Sequence, residues 1–295
     1  MRPPLRHFHR RHVGLLYVLP ALLFVAAFVA WPLLQLLRLS MTSASMLGAG
    51  SFVGWNNYLK AFRDETFWHS LAFTLKYTAC ITPILMVGGF LLALLVAEPG
   101  RIARATRGIV FLPVVIGLGS SSILWVGLLD EQVGLVGRLL VDLGLVGQAP
   151  VWFVEAELGM WAVILTVVWK VIGFGMLLFV AGIQSVGIDV REAAMLDGAG
   201  YWQRVRYITL PLMTRTLLLT TLISVIGSLL AFDQFYIMTA GGPRSETFTS
   251  VYWIYQNSFI YFKQGYGAAL SMILLSIVLV LASVHLLLAR RGAPA

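Results

Sequence analysis

Six long apolar segments dominate this chain of 295 residues and restrict the folds that are open to it. They cover residues 14–37, 71–97, 108–129, 158–184, 212–240 and 268–289. Each exceeds the ~20 apolar residues that cross ~30 Å of hydrocarbon, and backbone in lipid must satisfy its own hydrogen bonds, which favours helices. Only 12% of the residues are charged, against roughly 25% in a soluble domain. We therefore predict an all-α integral membrane protein with six transmembrane helices.

The positive charges between these segments predict the orientation of the chain. Six spans place both termini on one side, and that side carries Arg2, Arg6, Arg10, Arg11, Arg101, Arg104, Arg107, Arg191, Arg204, Arg206, Arg215, Arg290 and Arg291. The opposite loops carry only Lys60, Arg63, Arg138, Arg244 and Lys263. By the positive-inside rule, residues 1–13, 187–211 and 290–295 are predicted to be cytoplasmic. The net charge of +8 then reflects topology, and we expect no nucleic-acid partner.

A polar island, residues 187–211 with the sequence GIDVREAAMLDGAGYWQRVRYITLP, separates the fourth and fifth apolar segments. Asp189 and Glu192 have the spacing of a capping box at a helix start, and Gly198 and Gly200 permit a sharp turn. Residues 201–207 suit a second short helix, and Pro211 suits the first turn of the next long one. The polar island is therefore predicted to be a helix–turn–helix at the membrane surface, where another protein docks.

Few ionisable residues lie inside the apolar segments, and each is a functional candidate. Lys170 lies midway along the fourth segment and Asp233 in the outer part of the fifth. They are predicted to face a polar path and to be able to pair; the alternative is that they only stabilise helix packing. Further aromatic and polar candidates for a translocation path are Trp125, Trp169, Gln234 and Tyr236. They suit a sugar because aromatic rings stack on sugar faces; the alternative role for each is ordinary packing within a span.

The sequence gives no sign of catalysis within this chain. No Walker A sequence occurs, so any ATP hydrolysis is expected in a separate chain. We expect this chain to be a transport subunit rather than an enzyme, with no cofactor of its own. Lys76 is predicted to reach the outer interface with its long side chain, and His285 to be a packed or interfacial residue.

The sequence EAAMLDGAGYWQRVRYITLP resembles the EAA loop of permease subunits in binding-protein-dependent ABC importers. Glu192-Ala193-Ala194, Gly198 and the ending from Ile208 to Pro211 carry the likeness. Asp197-Gly198-Ala199 resembles the carbohydrate-uptake branch. FVGWNNY is similar to a segment that follows the first span in that branch, and FDQFYIMTAGGP is typical of the first, MalF-like, of its two permease subunits.

This resemblance implies a type I ABC importer permease fold in which the polar island is a coupling helix–turn–helix. Glu192 would pair with a basic residue in a groove of an ATPase, Ala193 and Ala194 would keep the docking face thin, Gly198 would make the bend, and Pro211 would pass movement to the next span. The remaining residues assigned to coupling are Asp189, Asp197, Ile208 and Leu210.

The partners implied by the resemblance are a second, MalG-like permease subunit, an ABC ATPase dimer that binds ATP and magnesium, and an extracytoplasmic solute-binding protein. The setting is the cell membrane of a prokaryote, with both termini in the cytoplasm and lipid around the spans. The predicted cargo is a sugar or sugar-like solute.

Three alternatives to sugar transport stay open at this point. The first is an ABC permease for glycerol phosphate, a polyamine or another small solute. The second is an ion-coupled secondary transporter, which would need an internal repeat and intramembrane carboxylates, of which Asp233 is the one candidate. The third is a structural membrane scaffold, which would not need the polar island.

Overall fold

A computed structural model describes residues 17–48 and 50–292 of the chain. The predicted cytoplasmic residues 1–13, the start of the first span at 14–16 and the end of the tail at 293–295 lie outside the described residues. Within the described ranges the structure is helical apart from turns and two isolated β-bridges, Thr42 with Phe52 and Ser45 with Gly48.

The helices are, in chain order, α1 Tyr17–Ser40, α2 Asn56–Phe62, α3 Glu65–Val96, α4 Arg101–Phe111, α5 Leu118–Leu128, α6 Leu135–Asp142, α7 Ala156–Gln184, α8 Ile188–Leu196, α9 Tyr201–Leu212, α10 Thr214–Leu229, α11 Asp233–Met238, α12 Ser250–Tyr255 and α13 Gln264–Gly292. A 3₁₀ turn, Leu112–Val115, extends α4. Single π turns lie in α1 at Ala26–Ala30, in α9 at Val205–Thr209, and after α12 at Gln256–Ile260.

Four of these helices, α1, α3, α7 and α13, are each long and apolar enough to cross a membrane. Two further spans require bent pairs, because α4 with its 3₁₀ turn meets α5 at 98° and α9 meets α10 at 73°. The six predicted spans thus correspond to four continuous helices and two bent pairs. The second begins at Glu65 rather than residue 71.

The third predicted span, 108–129, is not straight. Pro113 is buried in the 3₁₀ turn and has no N–H to continue an α-helical hydrogen-bond ladder. Ile116 and Gly117 then adopt ψ values of 135° and 145°, and α5 starts afresh at Leu118. A count of apolar residues registers the length of such a segment but not this change of direction.

The fifth predicted span, 212–240, is also interrupted. The helix α10 ends at Leu229, and α11 starts only at Asp233. The hydroxyl of Thr249 donates a hydrogen bond of 2.7 Å to the carbonyl of Ala231 in the gap. Because backbone groups away from water need partners, this hydroxyl compensates for a bond that the broken helix has lost.

The described chain forms two compact units. One comprises the chain up to Asp64 together with Ile254–Leu274. Within it, the amide of Asn57 donates to the carbonyls of Ser40 and Thr42, each at 2.8 Å. The hydroxyl of Tyr266 donates to Asp64 at 2.5 Å. The first two contacts tie α2 to the end of α1 and the segment that follows it, and the third ties the start of α13 to the chain just after α2.

The other unit comprises Glu65–Trp253 and the chain from Leu275 onward. The long helices α3 and α7 pack against each other, and α10 packs against both. At one end of this bundle Phe90 and Phe179 meet edge to face, with ring centroids 5.8 Å apart. Phe179 belongs to a buried cluster that also contains Val96 and Met213, so this cluster links the ends of α3 and α7 to the bend before α10.

Arg107 of α4 covers the carboxyl end of α3. Its guanidinium donates to the carbonyl of Val96 at 2.9 Å and to that of Ala97 at 3.2 Å. The amide of Gln184 also donates to the Ala97 carbonyl, at 3.4 Å. Since the last carbonyls of a helix lack partners within it and carry partial negative charge, the cation stabilises this helix end.

We expect Gly173→Ala to destabilise the bundle. A Cβ at Gly173 in α7 would lie 2.2 Å from the carbonyl oxygen of Val110 and 2.9 Å from the Cα of Phe111, both in α4. Backbone atoms cannot rotate away, so this overpacking is expected to cost about 1–3 kcal/mol. The measurement is the temperature at which detergent-solubilised protein loses its monodisperse chromatographic peak.

Gly127→Ala is the matched control for Gly173→Ala, because a Cβ at Gly127 in α5 would meet nothing within 4 Å. It should melt at the temperature of the unchanged protein or higher, since alanine favours helix. Equal melting temperatures for the two variants would contradict close packing of α4 on Gly173.

Candidate functional site

The first helix of the polar island, α8, begins differently from the prediction. Its N-cap is Gly187, with φ −52° and ψ 138°, and no side chain caps it. Asp189 lies in the first helical turn rather than at the cap, so the predicted capping box with Glu192 is wrong. The carboxylate of Asp189 still lies where the positive end of the helix dipole favours a negative charge.

The end of α8 is a Schellman motif centred on Gly198. The N–H of Ala199 donates to the carbonyl of Ala194 at 2.9 Å, and the N–H of Gly198 donates to that of Met195 at 3.1 Å. Gly198 has φ +81°, in the left-handed region that this motif requires and that glycine adopts without steric cost. The predicted bend at Gly198 is present.

Gly200 does not share this role. Its φ is −64°, and it is the N-cap of α9. Its N–H donates to the side-chain oxygen of Gln203 at 2.7 Å. The prediction that both glycines permit the turn is therefore correct for Gly198 and wrong for Gly200, whose conformation any residue can adopt.

The second helix of the polar island is longer than predicted and ends before the next span. It runs through a π turn that contains Ile208 and continues over Leu210 and Pro211 to Leu212. A 73° bend follows at Met213, and the long helix α10 begins at Thr214. Pro211 thus lies on the polar-island side of the bend, not in the first turn of α10 as predicted.

The polar island presents a surface of large apolar side chains and charged ones, among which Arg206 is exposed as well as the carboxylates. Leu196 is 89% exposed, Trp202 66% and Tyr207 70%. Glu192, Ala193 and Asp197 are also exposed, whereas Ala194 is buried. Large apolar side chains beside free carboxylates on a short helical hairpin are typical of a surface that a protein partner covers.

The polar island is joined to the helical bundle through Met213. This side chain is 1% exposed and belongs to the buried cluster at the ends of α3 and α7. A force applied to α9 therefore reaches the packed interior at the residue where the chain turns into α10.

A cavity of about 270 Å³ lies between α3, α7, α10 and the start of α11. We call it the interhelical cavity. Its lining is mainly apolar, and its polar members are Tyr77, Lys170, Thr220, Ser224, Ser228 and Gln234. An apolar pocket with a few converging polar groups is the usual form of a small-molecule site.

Gln234 is 3% exposed, and its side-chain carbonyl oxygen has no hydrogen-bond partner among the described residues. Its side chain interacts with the hydroxyl of buried Tyr77. An unsatisfied buried acceptor is costly, so the Gln234 oxygen is a ready acceptor for a hydroxyl donor that enters the interhelical cavity.

Trp125 and Trp169 form an edge-to-face pair with ring centroids 5.8 Å apart and planes at 65°. Trp125 is buried, and its indole N–H finds no hydrogen-bond acceptor in the part of the chain that the structure describes. Neither ring lines the interhelical cavity. The pair instead joins α5 to α7 one residue before Lys170.

Lys170 and Asp233 do not pair within the described residues 17–48 and 50–292, where the recorded ion pair is that of Lys76 with Glu157. Lys170 lines the interhelical cavity, while Asp233 and Tyr236 are exposed on α11 and do not. Tyr236 stacks on Phe232 with ring centroids 5.3 Å apart. Of the six translocation-path candidates, the structure brings Lys170 and Gln234 into one cavity.

Residues 77–292, which contain the polar island and the interhelical cavity, match the family of binding-protein-dependent transport system inner membrane components. The chain belongs to this family of transport permeases. LacF, the lactose transport system permease protein of Rhizobium radiobacter, is 30% identical over 282 residues, 94% of each chain. MalF, the trehalose/maltose transport system permease protein of Thermococcus litoralis, is 29% identical over 285 residues, 96% of this chain and 95% of MalF.

A solved structure shares the fold of this permease. The crystal structure of a bacterial alginate ABC transporter, in complex with an alginate pentasaccharide-bound periplasmic protein, contains a chain that superposes with a TM-score of 0.83. The sequences are 21% identical, and the likeness covers 98% of both chains. The predicted type I ABC importer permease fold is confirmed.

Three polar residues that line the interhelical cavity of this permease are not among the candidates predicted from the sequence. Thr220, Ser224 and Ser228 recur every four residues along α10, which places them on one helix face. Thr220 and Ser228 donate their hydroxyl protons to backbone carbonyls one turn back, at 2.8 and 3.0 Å, which leaves oxygen lone pairs available to a ligand. The four-residue spacing of hydroxyls was the available signal.

Two further predictions concern charged or ionisable residues at the margins of the permease bundle. Lys76 forms an ion pair with Glu157, and both side chains are about half exposed. A ring nitrogen of His285 lies 2.8 Å from the carbonyl of Leu218 in α10. The histidine is therefore a packed residue that joins α13 to α10.

Proposed function

We propose that this permease is the MalF-like transmembrane subunit of an ATP-driven importer and carries a sugar or sugar-like solute. The observation that carries the proposal is the polar island, a hairpin with a defined bend, an exposed apolar and charged surface, and a buried attachment at Met213. An importer subunit without its own ATPase needs such a surface, whereas a secondary transporter or a scaffold does not.

The partner proposed for this surface is an ABC ATPase dimer. Glu192 would pair with a basic group of the ATPase while Leu196 and Trp202 enter an apolar groove. ATP and magnesium would be bound by the ATPase chains. The positive-inside rule supports a cytoplasmic polar island with both termini on the same side.

Two more partners complete the proposed assembly, a second, MalG-like permease subunit and an extracytoplasmic solute-binding protein. The family description names binding-protein-dependent transport, and the alginate transporter was crystallised with its periplasmic protein. These findings support a binding-protein partner for this chain.

The proposed cargo class rests on the relatives and on the chemistry of the interhelical cavity. LacF transports lactose, and the archaeal MalF transports trehalose and maltose, by name. The cavity combines the donor Lys170 with acceptor oxygens on Gln234, Thr220 and Ser228. Sugar hydroxyls both donate and accept, so they can satisfy both kinds of group.

A glycerol phosphate is the second candidate cargo, because the Lys170 ammonium in the interhelical cavity would attract a phosphate. A polyamine is disfavoured for the same reason, since like charges repel in a medium of low dielectric constant. This alternative is tested by measuring whether unlabelled glycerol phosphate competes with the uptake of a labelled sugar.

The test is uptake into liposomes that contain this permease, its second permease and the ATPase from neighbouring genes, with the binding protein outside. We expect uptake of a labelled sugar that requires ATP inside and binding protein outside. Uptake driven by an ion gradient in the absence of ATP would contradict the proposal. Uptake of glycerol phosphate but not of any sugar would shift the cargo to the second candidate.

A further inference from the structure

Within residues 17–48 and 50–292, Lys170 is a cation of the helical bundle without an ion-pair partner. It lies near the centre of α7, is half-buried, and lines the interhelical cavity. All 13 acidic residues of the chain fall within residues 17–48 and 50–292, and none of them forms an ion pair with Lys170 there. Its neighbours in the cavity lining are apolar or neutral.

Such a charge is costly unless it serves the transported solute or the pathway. A lysine that only stabilised packing would be expected to have a carboxylate or a carbonyl as its partner. The described residues supply Lys170 with neither a hydrogen bond nor an ion pair, and the residue lines the interhelical cavity, which leaves its ammonium available to a molecule inside that cavity.

We propose that Lys170 is an electrostatic barrier that excludes protons and metal cations from the cargo pathway while a sugar passes. The inference rests on the proposed import function. A permease must open a polar route through the membrane, and a potential that is negative inside drives cations inward along any such route. A fixed positive charge beside the route opposes their entry, as positive groups do in other selective pores.

The size of this barrier follows from Coulomb's law. At an effective dielectric constant of about 20, a unit charge at ~8 Å lowers the local concentration of a monovalent cation by about thirtyfold. A neutral sugar experiences no such penalty, and its hydroxyls accept hydrogen bonds from the ammonium. The Lys170 side chain would thus repel cations and still admit a neutral sugar.

The experiment compares cation leak with sugar uptake in liposomes that contain the complete complex. A pH dye and a sodium dye are trapped inside, a potential negative inside is imposed with potassium and valinomycin, and transport is started with ATP and sugar-loaded binding protein. The variants are Lys170→Gln, Lys170→Arg and Lys170→Glu. Lys76→Gln is the matched control, because it removes an exposed lysine of α3 that does not line the interhelical cavity.

We expect Lys170→Gln to raise proton and sodium influx per sugar transported by about tenfold or more, in line with the charge removed. Lys170→Glu should leak more than Lys170→Gln, whereas Lys170→Arg and Lys76→Gln should match the unchanged complex. This graded order follows the sign of the charge at position 170, which a purely structural role of Lys170 would not produce.

Two results would overturn the barrier. One is continued ATP-driven sugar uptake by Lys170→Gln and Lys170→Glu without added leak, and the other is loss of uptake without added leak, which would reduce Lys170 to a contact for the cargo with no barrier role. Where Lys170→Gln does not assemble, Lys170→Met is measured by the same criteria. Failure of the unchanged complex to take up any sugar would instead contradict the proposed function.

Discussion

Glu192→Lys abolishes cargo-stimulated ATP hydrolysis in the purified importer complex, if the polar island docks as proposed. Glu192 is exposed on α8, and the resemblance to the EAA loop pairs it with a basic group of the ATPase. Reversal of its charge removes that pair and places two cations in contact, at a cost of about 2–5 kcal/mol of docking free energy. The measurement is the ATP hydrolysis rate with and without cargo-loaded binding protein.

The control for Glu192→Lys is Glu98→Lys. Glu98 is exposed in the connection between α3 and α4, which the six-span topology places on the same side of the membrane. The two variants change the net charge equally, so a nonspecific charge effect would alter both. A normal stimulated rate in Glu192→Lys would show that Glu192 takes no part in docking.

Gly198→Val is expected to have the second largest effect, a loss of stimulated ATP hydrolysis of about tenfold, while the protein stays in the membrane. A Cβ at Gly198 would meet nothing within 4 Å, so the cost comes from the backbone. A β-branched residue at φ +81° is strained by about 1–3 kcal/mol. The strain is relieved if the Schellman motif opens, which changes the angle between α8 and α9.

Gly200→Ala separates this effect from a general loss of glycine in the polar island. Gly200 has φ −64°, and a Cβ there would meet the Gln203 side-chain oxygen at an ordinary 3.5 Å. Hydrolysis should therefore stay near the unchanged rate. Equal loss in Gly198→Val and Gly200→Ala would mean that the left-handed bend at Gly198 is not what positions the docking surface.

The spans were predictable from the sequence because hydrocarbon thickness dictates the length of an apolar run. Their directions were not. Pro113 and Met213 mark bends of 98° and 73° inside segments that hydropathy treats as uniform. Pro113 and Pro211 each signal a possible break nearby, but neither indicates the angle of the bend, and the burial of Met213 against α3 and α7 is a tertiary contact that no local pattern shows.

The polar island shows the same division between local and distant causes. The bend at Gly198 was predictable since left-handed backbone at a helix end favours glycine. The start of α8 was not, because Asp189 has a capping side chain while the backbone turns two residues earlier, at Gly187. A capping residue indicates a helix start nearby without fixing the residue at which it occurs.

Only some of the polar residues that line the interhelical cavity were predictable from the sequence. Lys170 and Gln234 are conspicuous within apolar segments. Thr220, Ser224 and Ser228 are not, because single hydroxyls, which can bond to their own helix as Thr220 and Ser228 do, are unremarkable in membrane spans. That α10 turns these three residues toward Lys170 is a result of tertiary packing.

The bend at Met213 would allow α9 to act as a lever arm that rotates about this residue. The twelve residues of Tyr201–Leu212 span roughly 18 Å at 1.5 Å per residue. A rotation of about 10° around Met213 would then displace the outer end of this arm by roughly 3 Å, a geometric consequence of that length. Because Met213 is buried in the interior, a small movement of the proposed ATPase would reach the permease as torque on α10, which carries the polar face of the interhelical cavity.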